Sequence, residues 1–245
     1  MNRKLSVLVL LTVLALIVPM VGADDVIVAV AGDSTVQFMG GFQSDLWPNL
    51  PADEVSIFGQ YGATCLDLLQ SNPSTGEPLI LAMVPASAQV VVLYETSNGI
   101  HTGMTIQQQV TCMQETIAYL WQRNNSVSII IANQLPWRQG SWVDGQYEIL
   151  GCTGYFDAHL TIESWNATYG TTNWNAGYPA GTVSLIDVWT PNVNPPGTMT
   201  YGYGSPNDIQ GPCGIHPDQP NEWSPVWAHF TQPMVQAVNV VLGDN

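Results

Sequence analysis

The run Val26-Ile27-Val28-Ala29-Val30-Ala31, closing in Gly32-Asp33-Ser34, constrains the fold more than any other stretch of the chain. Six small or β-branched apolar residues without a polar interruption suit a strand covered on both faces, as in a parallel sheet. Glycine then permits a tight turn and sets a hydroxyl just past the strand's carboxyl end. In open α/β sheets that edge is where ligands bind. Ser34 is therefore a candidate nucleophile, provided that a base and oxyanion donors exist elsewhere. Taken alone, the tripeptide favours a simpler role, a serine capping the next helix.

The segment before this strand has the layout of a secretory signal. Arg3 and Lys4 precede an almost wholly apolar Leu5–Val21, and Val21-Gly22-Ala23 offers small residues to a peptidase. Cleavage is expected after residue 23, leaving 24–245 as a single domain. An uncleaved membrane anchor is the rival, because the apolar run is nearly long enough to span. Without residues 1–23 only Arg123 and Arg138 remain against nineteen Asp and Glu, a formal charge of −17. Such a surface repels nucleic acid and anionic membranes, so neither is an expected partner, and no stable membrane association is expected after cleavage.

Four cysteines in an exported chain imply two disulfides with three possible pairings, which sequence does not decide. Cys65–Cys112 with Cys152–Cys213 is the expected pairing. No C-x-x-C pair or histidine-rich cluster points to a metal, and no cofactor is expected. Asn124-Asn125-Ser126 and Asn166-Ala167-Thr168 are glycosylation sequons.

Along the chain, apolar runs alternate with helical periodicity. Strands are predicted over Glu54–Phe58, Gln89–Tyr94, Val127–Ala132 and Thr182–Val188. Helices are predicted within Thr35–Leu46 and over Cys65–Gln70 and Asp157–Tyr169. Thr105 caps a further helix whose apolar residues fall at Ile106, Val110, Met113, Ile117 and Leu120, one face of an amphipathic helix. Pro225 opens a last helix, with Trp227, Phe230, Met234, Ala237 and Val241 facing the core and a bend expected at Pro233. Asn192–Pro212 is a long loop rich in Pro, Gly and Asn, of the kind that carries function. Alternating strands and helices predict a three-layer α/β/α sandwich around a five-stranded parallel sheet, in the order 2-1-3-4-5.

A nucleophilic serine needs a base. His229 falls inside the last helix, His159 inside another, and His101 in a loop. His216, in Gly214-Ile215-His216-Pro217, stands between the long loop and the last helix, where an imidazole can reach over the carboxyl edge. Acyl transfer also needs donors aimed at the developing oxyanion. The N–H of Ser34, the N–H of Gly62 after the second strand and the amide of Asn98 after the third all belong to that edge. Each singly is more simply a turn residue; together, in this order, they form a set.

These residues carry a family resemblance. Gly32-Asp33-Ser34, Gly59-Gln60-Tyr61-Gly62-Ala63-Thr64, Asn98 and Gly214-Ile215-His216-Pro217 resemble, in block order, the four motifs of the SGNH hydrolases, also called the GDSL esterase/lipase family. The second block is normally G-x-S-G-x-T, and Tyr61 takes the serine's place. The third is normally G-x-N-D, and here Thr96 and Gly99 replace its glycine and aspartate. The family's D-x-x-H block has Cys213 where the aspartate orients the imidazole. The resemblance implies the flavodoxin-like SGNH fold and a serine esterase with Ser34 and His216 catalytic. It also implies an oxyanion hole of Ser34, Gly62 and Asn98. A triad without its acid loses about 10⁴ in turnover in other serine hydrolases, so something must replace it. The backbone carbonyl of Cys213 is the favoured replacement, giving a Ser–His dyad; Asp208 and Asp218 are the others.

Gly-Asp-Ser-Thr-Val at 32–36 is similar to the carbohydrate acetylesterases of this family. The expected partner is an acylated carbohydrate or another small ester, with neutral acetylated glycans favoured over acidic ones by the negative charge. Trp137, Arg138, Trp142 and Trp174 are candidate substrate contacts, although core packing for the tryptophans and a surface ion pair for Arg138 are the plainer roles. A lipase or acyl hydrolase acting on lipid or small esters is one alternative. A catalytically silent SGNH domain that binds glycans is the other.

Overall fold

A strand buried on both faces requires neighbours on both edges and a layer on each side, and the strand Ile27–Gly32 has all of them. The computed structural model describes residues 26–33, 36, 52–71, 73–76, 78, 80–94, 98–99, 102–133, 141–143, 146–148, 158–188, 209–210, 216–217 and 225–243. In chain order the elements are β1 (Ile27–Gly32), β2 (Glu54–Gly59), α1 (Cys65–Leu69), a 3₁₀ turn (Leu81–Met83), β3 (Val90–Tyr94) and α2 (Ile106–Arg123). There follow β4 (Ser128–Ala132), β5 (Ser141–Val143), β6 (Gln146–Glu148), α3 (Ala158–Thr171), β7 (Val183–Ile186), β8 (Ile209–Gln210), β9 (His216–Pro217) and α4 (Pro225–Leu242).

Five of the strands form one sheet in the order β2-β1-β3-β4-β7, and every pairing within it is parallel. This is the expected five-stranded α/β arrangement. The pleat sends alternate residues to opposite faces, and the core divides accordingly. Ala29, Ala31, Val91, Leu93, Ile129 and Ile131 pack with Leu68 of α1, Met113 and Ile117 of α2 and Tyr169 of α3. Val28, Val30, Val90, Val92, Ile130 and Ala132 pack on the other face with Val36 and with Met234 and Val238 of α4. Each such Val, Leu or Ile contributes about 1.5–3 kcal/mol by leaving water.

The predicted helix after Thr105 forms with its cap in place. Thr105 Oγ1 accepts the Gln108 N–H at 3.2 Å and Gln108 Oε1 accepts the Thr105 N–H at 2.8 Å, a reciprocal box that satisfies two exposed donors. A disulfide joins Cys65, at the start of α1, to Cys112 of α2, with Cα atoms 6.1 Å apart. It ties the segment following β2 to the segment following β3. Cys152 and Cys213 lie outside the described residues, as do the expected signal at 1–23 and most of Thr35–Leu46. Among the described residues no helix is long and apolar enough to cross a membrane.

Two pairs of short strands fall where the sequence predicts none. The Gly- and aromatic-rich stretch after Arg138 contains β5 and β6, which pair antiparallel, Val143 with Gln146 and Trp142 with Tyr147. The long loop likewise ends in β8, which pairs antiparallel with β9. Asn166 of the second sequon is buried.

Candidate active site

The carboxyl ends of β1, β2 and β3 are laced together by three hydrogen bonds. The Gln60 N–H, just past β2, donates to the Gly32 carbonyl at 3.1 Å. The Asp33 N–H, just past β1, donates to the Tyr94 carbonyl of β3 at 3.2 Å. The Asn98 side-chain amide, past β3, donates to the Ala63 carbonyl at 2.8 Å. Residues widely separated in sequence thus share one rim, at the carboxyl end of β1.

Gly32 is dictated by this closeness. A Cβ built on it would stand 1.8 Å from the Tyr94 carbonyl oxygen and 2.7 Å from a Val36 methyl. Only glycine lets β1 and β3 approach so tightly where the chain turns out of the sheet. Asp33 is fully buried behind it.

Gly62 occupies the turn after β2 at φ 73°, a left-handed conformation that favours glycine. Among the described residues, no atom lies within 4 Å of where its Cβ would be. Tyr61, in the place of the resembled family's serine, is 71 % exposed. The sequence runs on through Ala63 to Thr64, whose N–H and hydroxyl both donate to the Asp67 carboxylate at 2.7 Å. That box fixes the start of α1 and, with it, the end of the turn.

Asn98 begins a helical turn. Its carbonyl accepts the Thr102 N–H at 2.9 Å and the Thr102 hydroxyl at 2.9 Å, while the Gly99 carbonyl accepts the Met104 N–H at 2.9 Å. A primary amide carries two N–H donors. One of those on Asn98 holds the Gly62 turn through Ala63, which fixes the side chain toward the shared rim.

Of the other predicted site residues, Ser34, Trp137, Arg138, Asp208, Cys213 and Asp218 lie outside the described residues. The backbone of His216 lies in β9, opposite Gln210 of β8. Trp174 is 6 % exposed, its indole N–H donates to the Tyr169 carbonyl at 2.9 Å, and its ring packs on Tyr169 at 5.0 Å. This is the core packing that the sequence offered as its plainer role.

Two polar residues near this edge went unmarked in the sequence. Asn133, just past β4 and buried, donates its amide to Asp187 at 2.7 Å and accepts the Val188 N–H at 2.7 Å. It fastens the segment leaving β7. Its signal was its place, directly after an apolar run, as Asn98 lies shortly after another. Gln109 is the second, a fully buried amide on the inner side of α2.

No protein-family model matches the sequence, and no curated protein is detectably similar to it. Solved structures do match. A family two carbohydrate esterase from Clostridium thermocellum, in complex with cellohexaose, is 13% identical, with TM-score 0.55 over 90% of this chain and 65% of that one. A carbohydrate esterase of family 3 from Talaromyces cellulolyticus is 14% identical, with TM-score 0.50 over 88% of this chain and 99% of that one. A protein from Desulfitobacterium hafniense, provisionally described as lipolytic and of the G-D-S-L family, is 14% identical, with TM-score 0.54 over 85% and 99%. The fold is therefore the α/β fold of the SGNH hydrolases.

Proposed function

We propose that this chain is a secreted serine esterase that removes short acyl groups, acetyl above all, from neutral polysaccharides or oligosaccharides. The observation that carries the reading is the Asn98–Ala63 hydrogen bond. It joins the turns after β2 and β3 beside the end of β1, as an oxyanion hole assembled from three strands requires. The fold shared with carbohydrate esterases supports the substrate class. The net negative charge supports a neutral glycan over an acidic one. The basic-then-apolar start of the chain and the disulfide support export.

In the proposed cycle His216 takes the Ser34 proton as the hydroxyl oxygen attacks the ester carbonyl. The N–H groups of Ser34 and Gly62 and the Asn98 amide hold the tetrahedral oxyanion. The C–O bond to the sugar breaks and His216 returns the proton to the departing alcohol. Water then attacks the acyl-serine, giving one proton to His216, and collapse releases the carboxylic acid and restores Ser34. The Cys213 carbonyl accepts the His216 Nδ1–H and so fixes the tautomer.

A fluorophosphonate probe and p-nitrophenyl acetate test this together. The wild-type protein is expected to be labelled and to hydrolyse the ester, and Ser34→Ala and His216→Ala to do neither. Activity retained in either variant removes the assignment. An unlabelled, inactive wild type that still binds glycans favours the silent-domain alternative.

A further inference from the structure

The inner face of α2 is apolar at Val110, Met113, Ile117 and Leu120, yet Gln109 beside them is 0 % exposed. Leaving a buried amide without partners costs about 1–3 kcal/mol by mutational measures, so a leucine of similar volume would serve packing alone at least as well. The surroundings of Gln109 give its amide a directional task. Its Nε2–H donates to the Tyr169 hydroxyl at 3.3 Å, and Tyr169 is itself buried. Its Oε1 stands 2.6 Å from where a Cβ on Gly99 would lie, with Met104 Sδ at 3.3 Å and Trp165 Cη2 at 3.4 Å. The amide end of Gln109 therefore packs against the α-carbon of Gly99, one peptide from Asn98. It fills the space that the side chain of an aspartate, usual at this position in the resembled motif, would need.

We propose that Gln109 is the positioning residue for the Asn98 amide. Held by Tyr169, it sets the turn at Gly99 and so the angle at which Asn98 meets the oxyanion. This rests on the esterase reading of the site. Asn98 is then fixed at both ends, its side chain by Ala63 and its backbone through Gly99. Such double anchoring is what holds a donor within the tolerance of about 0.5 Å and 10–20° that a catalytic constellation needs. The absence of a Cβ at Gly99 and the presence of an amide at Gln109 are one adaptation in two places.

The test is Gln109→Leu in the full chain, with kcat and KM on p-nitrophenyl acetate and the thermal midpoint measured side by side. Removing an oxyanion donor outright lowers kcat about 10²–10³-fold. Misaiming it should lower kcat about tenfold, with KM within about twofold and no loss of thermal midpoint. In an Asn98→Ala background the same substitution should have no further effect on kcat, because Gln109 acts through Asn98. A kcat for Gln109→Leu within about twofold of wild type, or a loss that multiplies with Asn98→Ala, overturns the proposal. Should Gln109→Leu fail to fold, Tyr169→Phe carries the test by removing only the hydroxyl. A kcat reduced about threefold or more supports the positioning role, and an unchanged kcat refutes it. Turnover that does not depend on Ser34 refutes the esterase reading and this proposal with it, whereas Ser34-dependent turnover indifferent to Gln109 refutes the proposal alone.

Discussion

Gly32→Ala is the smallest substitution that tests how the site is built. The added Cβ would lie 1.8 Å from the Tyr94 carbonyl oxygen, where ordinary contacts begin above 3 Å, so β1 and β3 must part locally by more than about 1 Å. These two strands lie inside the sheet, each with a partner on its other edge, which leaves no free side toward which either can move. Overpacking of this kind costs about 1–3 kcal/mol. The Asp33 N–H also loses the Tyr94 carbonyl, its 3.2 Å partner, and an unsatisfied buried group adds about 1–3 kcal/mol. The sum, about 2–6 kcal/mol, is a large fraction of the 5–15 kcal/mol typical of a domain. Urea denaturation followed by tryptophan fluorescence reads it as a shift in midpoint at constant slope. Gly170→Ala is the internal control: it is a helical glycine with nothing among the described residues within 4 Å of its Cβ position, and there alanine should stabilise by about 0.5–1 kcal/mol. A Gly32→Ala loss below about 1 kcal/mol would refute the reasoning, because the strand ends would then be free to separate.

Two further substitutions probe the braces around the same edge. Replacing Cys65 and Cys112 together by alanine frees a loop closed over 47 residues, and chain entropy puts the loss at about 4 kcal/mol. A thermal midpoint that does not fall in the variant, or in wild type treated with a strong reductant, would contradict it. Asn133→Ala should cost about 2–3 kcal/mol, since it strands the buried Val188 N–H and releases Asp187. A urea midpoint indistinguishable from wild type would show that the segment after β7 is held by something else.

What was legible in the sequence followed from local period. Strands buried on both faces show as unbroken apolar runs, and four of the five sheet strands announced themselves in this way or nearly so. The 4,3,4,3 spacing of Ile106 to Leu120 likewise located α2 and its cap. Trp174 could not be decided locally, because its neighbours are those of a loop while its ring is held by Tyr169, a contact that only the end of α3 creates. The β5–β6 pair went unpredicted because strands of only three residues are too short to show a period.

The site itself was legible as an edge and not as an angle. Any residue following a parallel strand must emerge on the carboxyl side, so Ser34, Gly62 and Asn98 could be assigned to one rim from strand positions alone. Nothing local in the sequence states that the Asn98 amide bonds a carbonyl 35 positions earlier, or that Gly99 lacks a side chain because Gln109 occupies its space. Periodicity counts Gln109 as an exception on an apolar face, and packing turns the exception into a contact. The departure at Gly99 therefore falls where the motif's side chain would collide with this chain's own core. At Gly99 the aspartate position is closed by a glutamine, and the donor beside it can keep its place only while that glutamine does.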